Sequence, residues 1–145
     1  FRIRQSMDTG QPEISETVSH GNDTKAEILQ RLKEINDEQR VFVRKDLSLN
    51  ELATMLHTNK TYLSEIINRQ FGMNFNDYIN QLRITEACRI IMDPASVRLS
   101  YDQIAEQCGF SSKSTFYAAF KKSTGMSPAA FGRTIPQKIL PESSI

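Results

Sequence analysis

The sequence is poor in the residues that staple small scaffolds together and in those that enter membranes. Its 145 residues include two cysteines, Cys88 and Cys108, too few for a disulfide framework or a four-ligand zinc site. No stretch approaches the ~20 consecutive apolar residues that span a bilayer, and no signal-peptide pattern opens the chain. Charge of one sign is missing too: 18 Lys and Arg oppose 17 Asp and Glu, and the net charge of +1 excludes a polybasic or an acidic disordered tail protein. His20 and His57 have no carboxylate or cysteine at ligand spacing. What is left is a chain of about one domain's length, 39% hydrophobic and 24% charged, suited to a modest core and expected to be soluble and cytoplasmic. Because it begins at Phe1, it is read as a piece of a longer protein.

Residues 1–23 show almost no apolar periodicity and carry Gly10, Pro12 and Gly21 with two basic and four acidic residues. Such a segment buries too little surface to offset backbone ordering and is expected to be a linker or arm. Residues 136–145, with Pro136 and Pro141, read as a tail. Between them, over residues 24–135, the period is helical throughout and no alternating strand pattern occurs. The expected fold is all-α, with about seven helices. Thr24-x-x-Glu27, Ser48-x-x-Glu51 and Ser100-x-x-Gln103 read as capping boxes that start helices. Gly72 and Gly125 read as C-terminal stops, and Ser127-Pro128 as a further start. A longer helix is expected over residues 75–92, closed by Asp93-Pro94.

The chain repeats itself. Ser48, Leu52 and Ala53 match Ser100, Ile104 and Ala105 at an offset of 52. Leu63, Ile67, Gly72, Met73 and Tyr78 match Phe116, Phe120, Gly125, Met126 and Phe131 at an offset of 53, so the second copy has one extra residue in its turn. Each copy is a short helix, a tight turn and a second helix, the helix-turn-helix pattern. The units fall at about residues 24–74 and 93–135, joined by the helix over 75–92. That linker helix spans ~27 Å, which would bring the two second helices close to one DNA turn apart, ~34 Å, in successive major grooves.

With the apolar stripes inward, the second helices present Lys60, Thr61, Ser64, Glu65 and Asn68 in the first copy, and Lys113, Ser114, Tyr117, Ala118 and Lys121 in the second. These types suit groove reading: Lys donates to guanine, Asn pairs adenine, Glu accepts from cytosine, and Thr, Ala and Tyr touch the thymine methyl. Over residues 48–133, nine basic residues oppose seven acidic ones, a balance of +2 that points to placed phosphate contacts and a moderate salt dependence. The expected phosphate set is Arg40, Arg44 and Lys45 on the connector, Lys122, Arg133, and the helix N-termini at Ser48 and Ser100.

The stretch LSLNELATMLHTNKTYLSEIINRQFGMNFNDYINQLRITEACRIIMD resembles the first half of an AraC/XylS-type DNA-binding domain. IAEQCGFSSKSTFYAAFKKSTGMSPAAF resembles that family's signature, with its GF turn, its closing FKK and the following G-x-S-P. The resemblance covers roughly residues 24–133. It implies two helix-turn-helix subdomains on a long linker helix, acting in a bacterial transcription regulator. It places the base-reading positions on Thr61, Ser64, Glu65, Lys113, Ser114, Tyr117 and Ala118. Two departures stand out: Ala118 replaces a long polar side chain common in the family, and Gly132 separates Phe131 from Arg133. The resemblance also implies double-stranded DNA and RNA polymerase as partners. A sensor or dimerisation domain would precede this piece in the parent protein, which is either free or the end of a membrane-tethered hybrid sensor. No cofactor, metal or small-molecule ligand is expected within the piece.

Two rival readings are open. Some proteins of this fold carry DNA alkyl repair on a cysteine, but Cys88 and Cys108 fall on inward helix faces, where cysteine acts as a small hydrophobe. Catalysis is therefore not expected. The other rival is a helix-turn-helix interaction module without DNA binding, favoured by the low net charge and by Glu65 on the first second helix.

Overall fold

Local caps set most of the helix boundaries in the computed structural model, which describes residues 16–135. In chain order the helices are α1 (Glu16–Glu34), α2 (Leu49–Met55), α3 (Lys60–Phe71), α4 (Phe75–Met92), α5 (Tyr101–Gln107), α6 (Lys113–Thr124) and α7 (Pro128–Arg133). Among the described residues there is no strand, and the fold is all-α, with two helix-turn-helix units joined by α4. Of the expected linker over residues 1–23, residues 1–15 lie outside the described residues, as do the tail residues 136–145, while residues 16–23 are helical and not a linker.

The repeat is visible helix by helix. α2 and α5 start 52 residues apart, and α3 and α6 start 53 apart. Asn59 and Ser112 cap the second helices by accepting from the backbone N–H three residues on, and Asn74 and Ser127 do the same for α4 and α7. Gly72 and Gly125 close α3 and α6 in the left-handed region, at φ 71° and 82°. These are side-chain-to-backbone bonds within one turn, which is why both copies keep them although most of the residues between have changed.

Three details differ from the sequence reading. The backbone of α1 is helical from Glu16, so Thr24 lies inside the helix and not at its cap; the interior Gly21 weakens a helix by only about 0.5–1 kcal/mol relative to Ala, and does not stop it. Ser100 and Gln103 form a complete capping box, whereas at the first copy Ser48 accepts from the Glu51 N–H but the Glu51 carboxylate turns to Arg44 instead. Finally, α1 does not simply end. It runs on through a π-turn, Ile35–Gln39, closed by Arg40 in the left-handed region at φ 51°, whose N–H reaches Ile35 O at 2.9 Å. A single 3-10 turn, Val41–Val43, follows, so the residues 40–45 expected as a basic connector are an ordered strap across the domain.

Two cores result. The first gathers Ile28 and Leu32 of α1, Val41 and Phe42 of the strap, Leu52, Leu56, Leu63, Ile66 and Ile67, and the start of α4 through Tyr78 and Ile79. The second gathers the end of α4 (Ile84, Ala87, Ile90, Ile91) with Ile104, Ala105, Cys108, Phe110, Phe116 and Phe120. α4 thus gives its first half to one unit and its second half to the other, so its apolar residues are not confined to one stripe. At the changeover it buries two charged residues, Arg83 and Glu86, each 9% exposed.

Candidate nucleic-acid interface

The inward residues of α3 fix its outward ones. Leu63, Ile66 and Ile67 are buried, so Lys60, Thr61, Glu65 and Asn68 are exposed and Ser64 is half-buried at the edge of the stripe. On α6, Phe116 and Phe120 are buried, which leaves Lys113, Ser114, Tyr117, Ala118 and Lys121 exposed. Each second helix therefore offers solvent a mostly polar face in which exposed positions recur at one helical turn.

The two faces differ in charge. On α3, the Glu65 carboxylate sits 2.9 Å from the guanidinium of Arg69, an exposed pair one turn apart, so the acceptor is held beside a donor. On α6, Lys113 lies 3.5 Å from Asp102 of the preceding helix and 5.8 Å from the centre of the Tyr117 ring. Lys122 lies 3.4 Å from Asp77 at the start of α4. Lys60, Arg98, Lys121 and Arg133 pair with no described carboxylate. Arg98, on the loop before α5, escaped the sequence reading because it belongs to no repeat position.

The sequence also gave no hint of what flanks the α6 face. An open groove of ≈ 810 Å³ runs between the first half of α4 and α6, with Asp77, Asn80 and Gln81 on one side and Ser114, Ala118 and Lys122 on the other. Asn80 and Gln81 bring amide donors to the groove that Ser114 and Ala118, two positions expected to read bases, also line. Their only sequence signal was polarity on a helix that had to bury both its neighbours.

The basic strap has other attachments. Arg40 pairs with the Glu86 carboxylate, Arg44 pairs with Glu51 and lies 3.6 Å from Asp46, and Lys45 lies 3.3 Å from Glu106. Arg44 is held more firmly protonated by its hydrogen bond to Glu51. Of the residues expected to meet phosphate, these three and Lys122, beside Asp77, are already engaged within the protein. Ser48 and Ser100 are exposed and cap α2 and α5, while Lys122 and Arg133 lie exposed on α6 and α7.

The cysteines behave as core atoms. Cys108 is fully buried, and burial pushes its thiol from 9.0 up to about 12; Cys88 is half-buried against the same core, and burial raises it as well. A thiol held protonated is neither a nucleophile nor a metal ligand. Among the described residues no group of three or more His, Cys, Asp or Glu is placed to hold a metal, and no helix is long and apolar enough to cross a membrane.

Fold and faces together define a class, the all-α domain with two helix-turn-helix units on one linker helix. Within that class the chain belongs to the AraC-type family: the family model described as a helix-turn-helix domain matches residues 52–134. The Msm operon regulatory protein of Streptococcus mutans is 28% identical over 122 residues, covering 84% of this chain and 41% of that protein. The melibiose operon regulatory protein of Escherichia coli is 30% identical over 92 residues, covering 63% of this chain and 30% of that protein. Among solved structures, the C-terminal domain of AraT, a response regulator from Geobacillus stearothermophilus, matches with a TM-score of 0.58 at 28% identity, covering 79% of this chain and 84% of that one. The chain spans well under half the length of these curated relatives, which are named as regulators and not as enzymes.

Proposed function

We infer that this chain binds double-stranded DNA sequence-specifically, as the output domain of a bacterial transcription regulator. The observation that carries the reading is the pair of polar faces on α3 and α6, exposed by the same inward pattern in two copies of one motif. α3 reads bases through Lys60, Thr61, Ser64, Glu65 and Asn68. α6 reads the next groove segment through Lys113, Ser114, Tyr117, Ala118 and Lys121. Arg98 and Arg133, which pair with no described carboxylate, meet phosphate together with Lys122 and the N-termini at Ser48 and Ser100. The strap residues Arg40, Arg44 and Lys45 reach phosphate only by giving up partners inside the protein, which supports a moderate salt slope. An upstream sensor or dimerisation domain and RNA polymerase complete the regulator, which works in the cytoplasm whether free or tethered.

Selection of bound duplexes from a random library at near-physiological salt tests this. Two short blocks about one helical turn apart are expected. No enrichment, with Lys113→Glu behaving like wild type, would favour an interaction module in which Glu65 and the low net charge serve a protein partner.

A further inference from the structure

Two units joined by one helix would by default move relative to each other, since a small, mostly polar contact seldom holds domains rigidly. This chain has a second tether beside the helix. The strap leaves the first core at Phe42 and crosses to the second unit, where three independent contacts meet it. The Arg83 guanidinium, rooted in α4, donates to Phe42 O at 2.6 Å and to Arg44 O at 2.8 Å while lying 5.7 Å from the centre of the Phe110 ring in the second core. Glu86, one turn further along α4, accepts two bonds from Arg89, at 3.1 and 2.6 Å, and pairs with Arg40 of the strap. Gly109, in the turn of the second unit, lies so close that a Cβ there would stand 2.6 Å from Val43 O and 2.9 Å from Phe42 O. Lys45 and Glu106 add an exposed ion pair across the same seam.

We propose that the strap over residues 40–45, seated on Arg83, Glu86 and Gly109, is a register lock that fixes the orientation of α6 relative to α3 and so sets which spacing between two DNA half-sites the domain accepts. The proposal rests on the two-unit DNA reading above. Buried ionic groups serve geometry better than they serve stability, because their desolvation offsets most of their attraction. Arg83 and Glu86 fit that pattern: each ties α4 to the strap, and their bonds are directional. The carbonyls of Phe42 and Arg44 would lose their described side-chain donor without Arg83. A side chain at position 109 would force the strap off the second unit altogether. Each contact constrains rotation about the α4 axis, the one freedom a linker helix by itself leaves open. On DNA that freedom matters, because one added base pair moves the second block by ~3.4 Å and turns it by about 36°.

The test compares wild type with Glu86→Gln, which keeps the side-chain volume, and with Gly109→Ala. Binding is measured on duplexes carrying the selected blocks with zero, one or two base pairs inserted between them, and on a duplex with one block alone. Wild type is expected to lose roughly tenfold or more for one inserted pair, the size of a mismatch. The variants are expected to lose less than about threefold, with unchanged affinity for the single block. Residual dipolar couplings of the free protein give a readout that needs no DNA: one alignment tensor for both units in wild type, two in the variants. Where Gly109→Ala does not fold, Glu86→Gln carries the comparison. A wild-type spacing profile and a single tensor in a folded Glu86→Gln would overturn the lock while leaving the two-unit reading intact. Selection of only one block by wild type would overturn the two-unit reading, and with it the role in spacing.

Discussion

The two helix-turn-helix units share a frame and differ in what fills it. The first is built on aliphatic side chains (Leu52, Leu56, Leu63, Ile66, Ile67) and borrows α1 and the strap to close its core. The second is closed by the short α7 and is filled with rings: Phe116 meets Phe110 at 5.2 Å and Phe120 at 5.7 Å, and Phe120 meets Phe131 of α7 at 5.5 Å. Large rings fill this core where aliphatic side chains fill the first, and edge-on aromatic pairs add directional contact beyond burial. The exposed faces of the second helices diverge as well. α3 carries a lysine, a carboxylate, an amide and two hydroxyls, whereas α6 carries two lysines, one hydroxyl, an aromatic and Ala118. On the proposed reading both helices meet bases, with α3 weighted toward discrimination and α6, through its two lysines, toward grip.

The difference in cores gives the largest effect. Phe116 and Leu63 occupy equivalent positions, and both are fully buried. Phe116→Ala should cost about 3–5 kcal/mol and Leu63→Ala about 2–5 kcal/mol, read by urea denaturation. Because α4 belongs to both cores, each variant should still unfold in one transition. Two separated transitions for Phe116→Ala would mean that the units are energetically independent, and the shared helix is then only a tether.

The difference in faces comes next. Lys113→Glu should lower DNA affinity by roughly 5- to 150-fold and reduce the salt slope by about one to two phosphate contacts, measured by fluorescence anisotropy over a salt series. Glu65→Gln should change affinity less but alter the base preferred in its block, with little effect on salt slope. A uniform loss at every sequence for Glu65→Gln would make α3 a second gripping helix and remove the contrast.

The units also hold their buried titrating groups apart, Tyr78 in the first core and Cys108 in the second. Burial raises both, the tyrosine from 10.0 and the thiol from 9.0, each to about 12. A raised folded-state value favours the protonated form, so its contribution is fully present below the unfolded value and is lost as pH rises toward the folded one. The midpoint temperature should therefore fall between about pH 9 and 12, and Cys108→Ala should blunt the part of that fall that precedes tyrosine ionisation. The native thiol should label slowly at pH 8. An alkaline profile identical in Cys108→Ala and wild type would place the loss elsewhere.

Caps separate the units by a smaller margin. Ser100 belongs to a complete capping box and Ser48 to half of one. Ser100→Ala should cost about 1–2 kcal/mol, against about 0.5–1 kcal/mol for Ser48→Ala.

These contrasts also mark what a sequence can and cannot display. Ser100, Gly72, Gly125 and Ser127 act within one helical turn, so the elements they bound were legible residue by residue, and the inward stripes then fixed which faces of α3 and α6 are exposed. The strap was not legible. Arg40, Arg44 and Lys45 look like loose cations in a connector, and their partners Glu86 and Glu106, like Arg83 and Gly109 that meet the strap backbone, lie about 40–70 positions further on in the chain. Glu51, which is nearer, was assigned to Ser48 because a capping box is a local pattern and an ion pair with Arg44 is not. Arg83 and Glu86 escaped because an apolar periodicity cannot flag a buried charge.

The smallest effect falls on the start of the turn, ahead of the second copy's extra residue. His57 and Gly109 stand 52 positions apart, and both are left-handed, at φ 60° and 99°. Their turns close with the same bond, Thr58 N–H to Ala53 O at 2.9 Å and Phe110 N–H to Ala105 O at 3.0 Å. A histidine there pays the steric cost of the left-handed region, about 1 kcal/mol, which glycine avoids. Glycine in turn loses more chain entropy on folding, roughly 0.4–1 kcal/mol. The two nearly cancel, so His57→Gly should shift stability by no more than about 0.5 kcal/mol, in thermal or urea unfolding. Gly109 is held to glycine by the strap and not by its φ alone, since His57 shows that this turn accepts a side chain when nothing approaches it. A large loss on His57→Gly would mean that the imidazole makes a contact the second unit lacks, and the two turns would then differ in more than the strap.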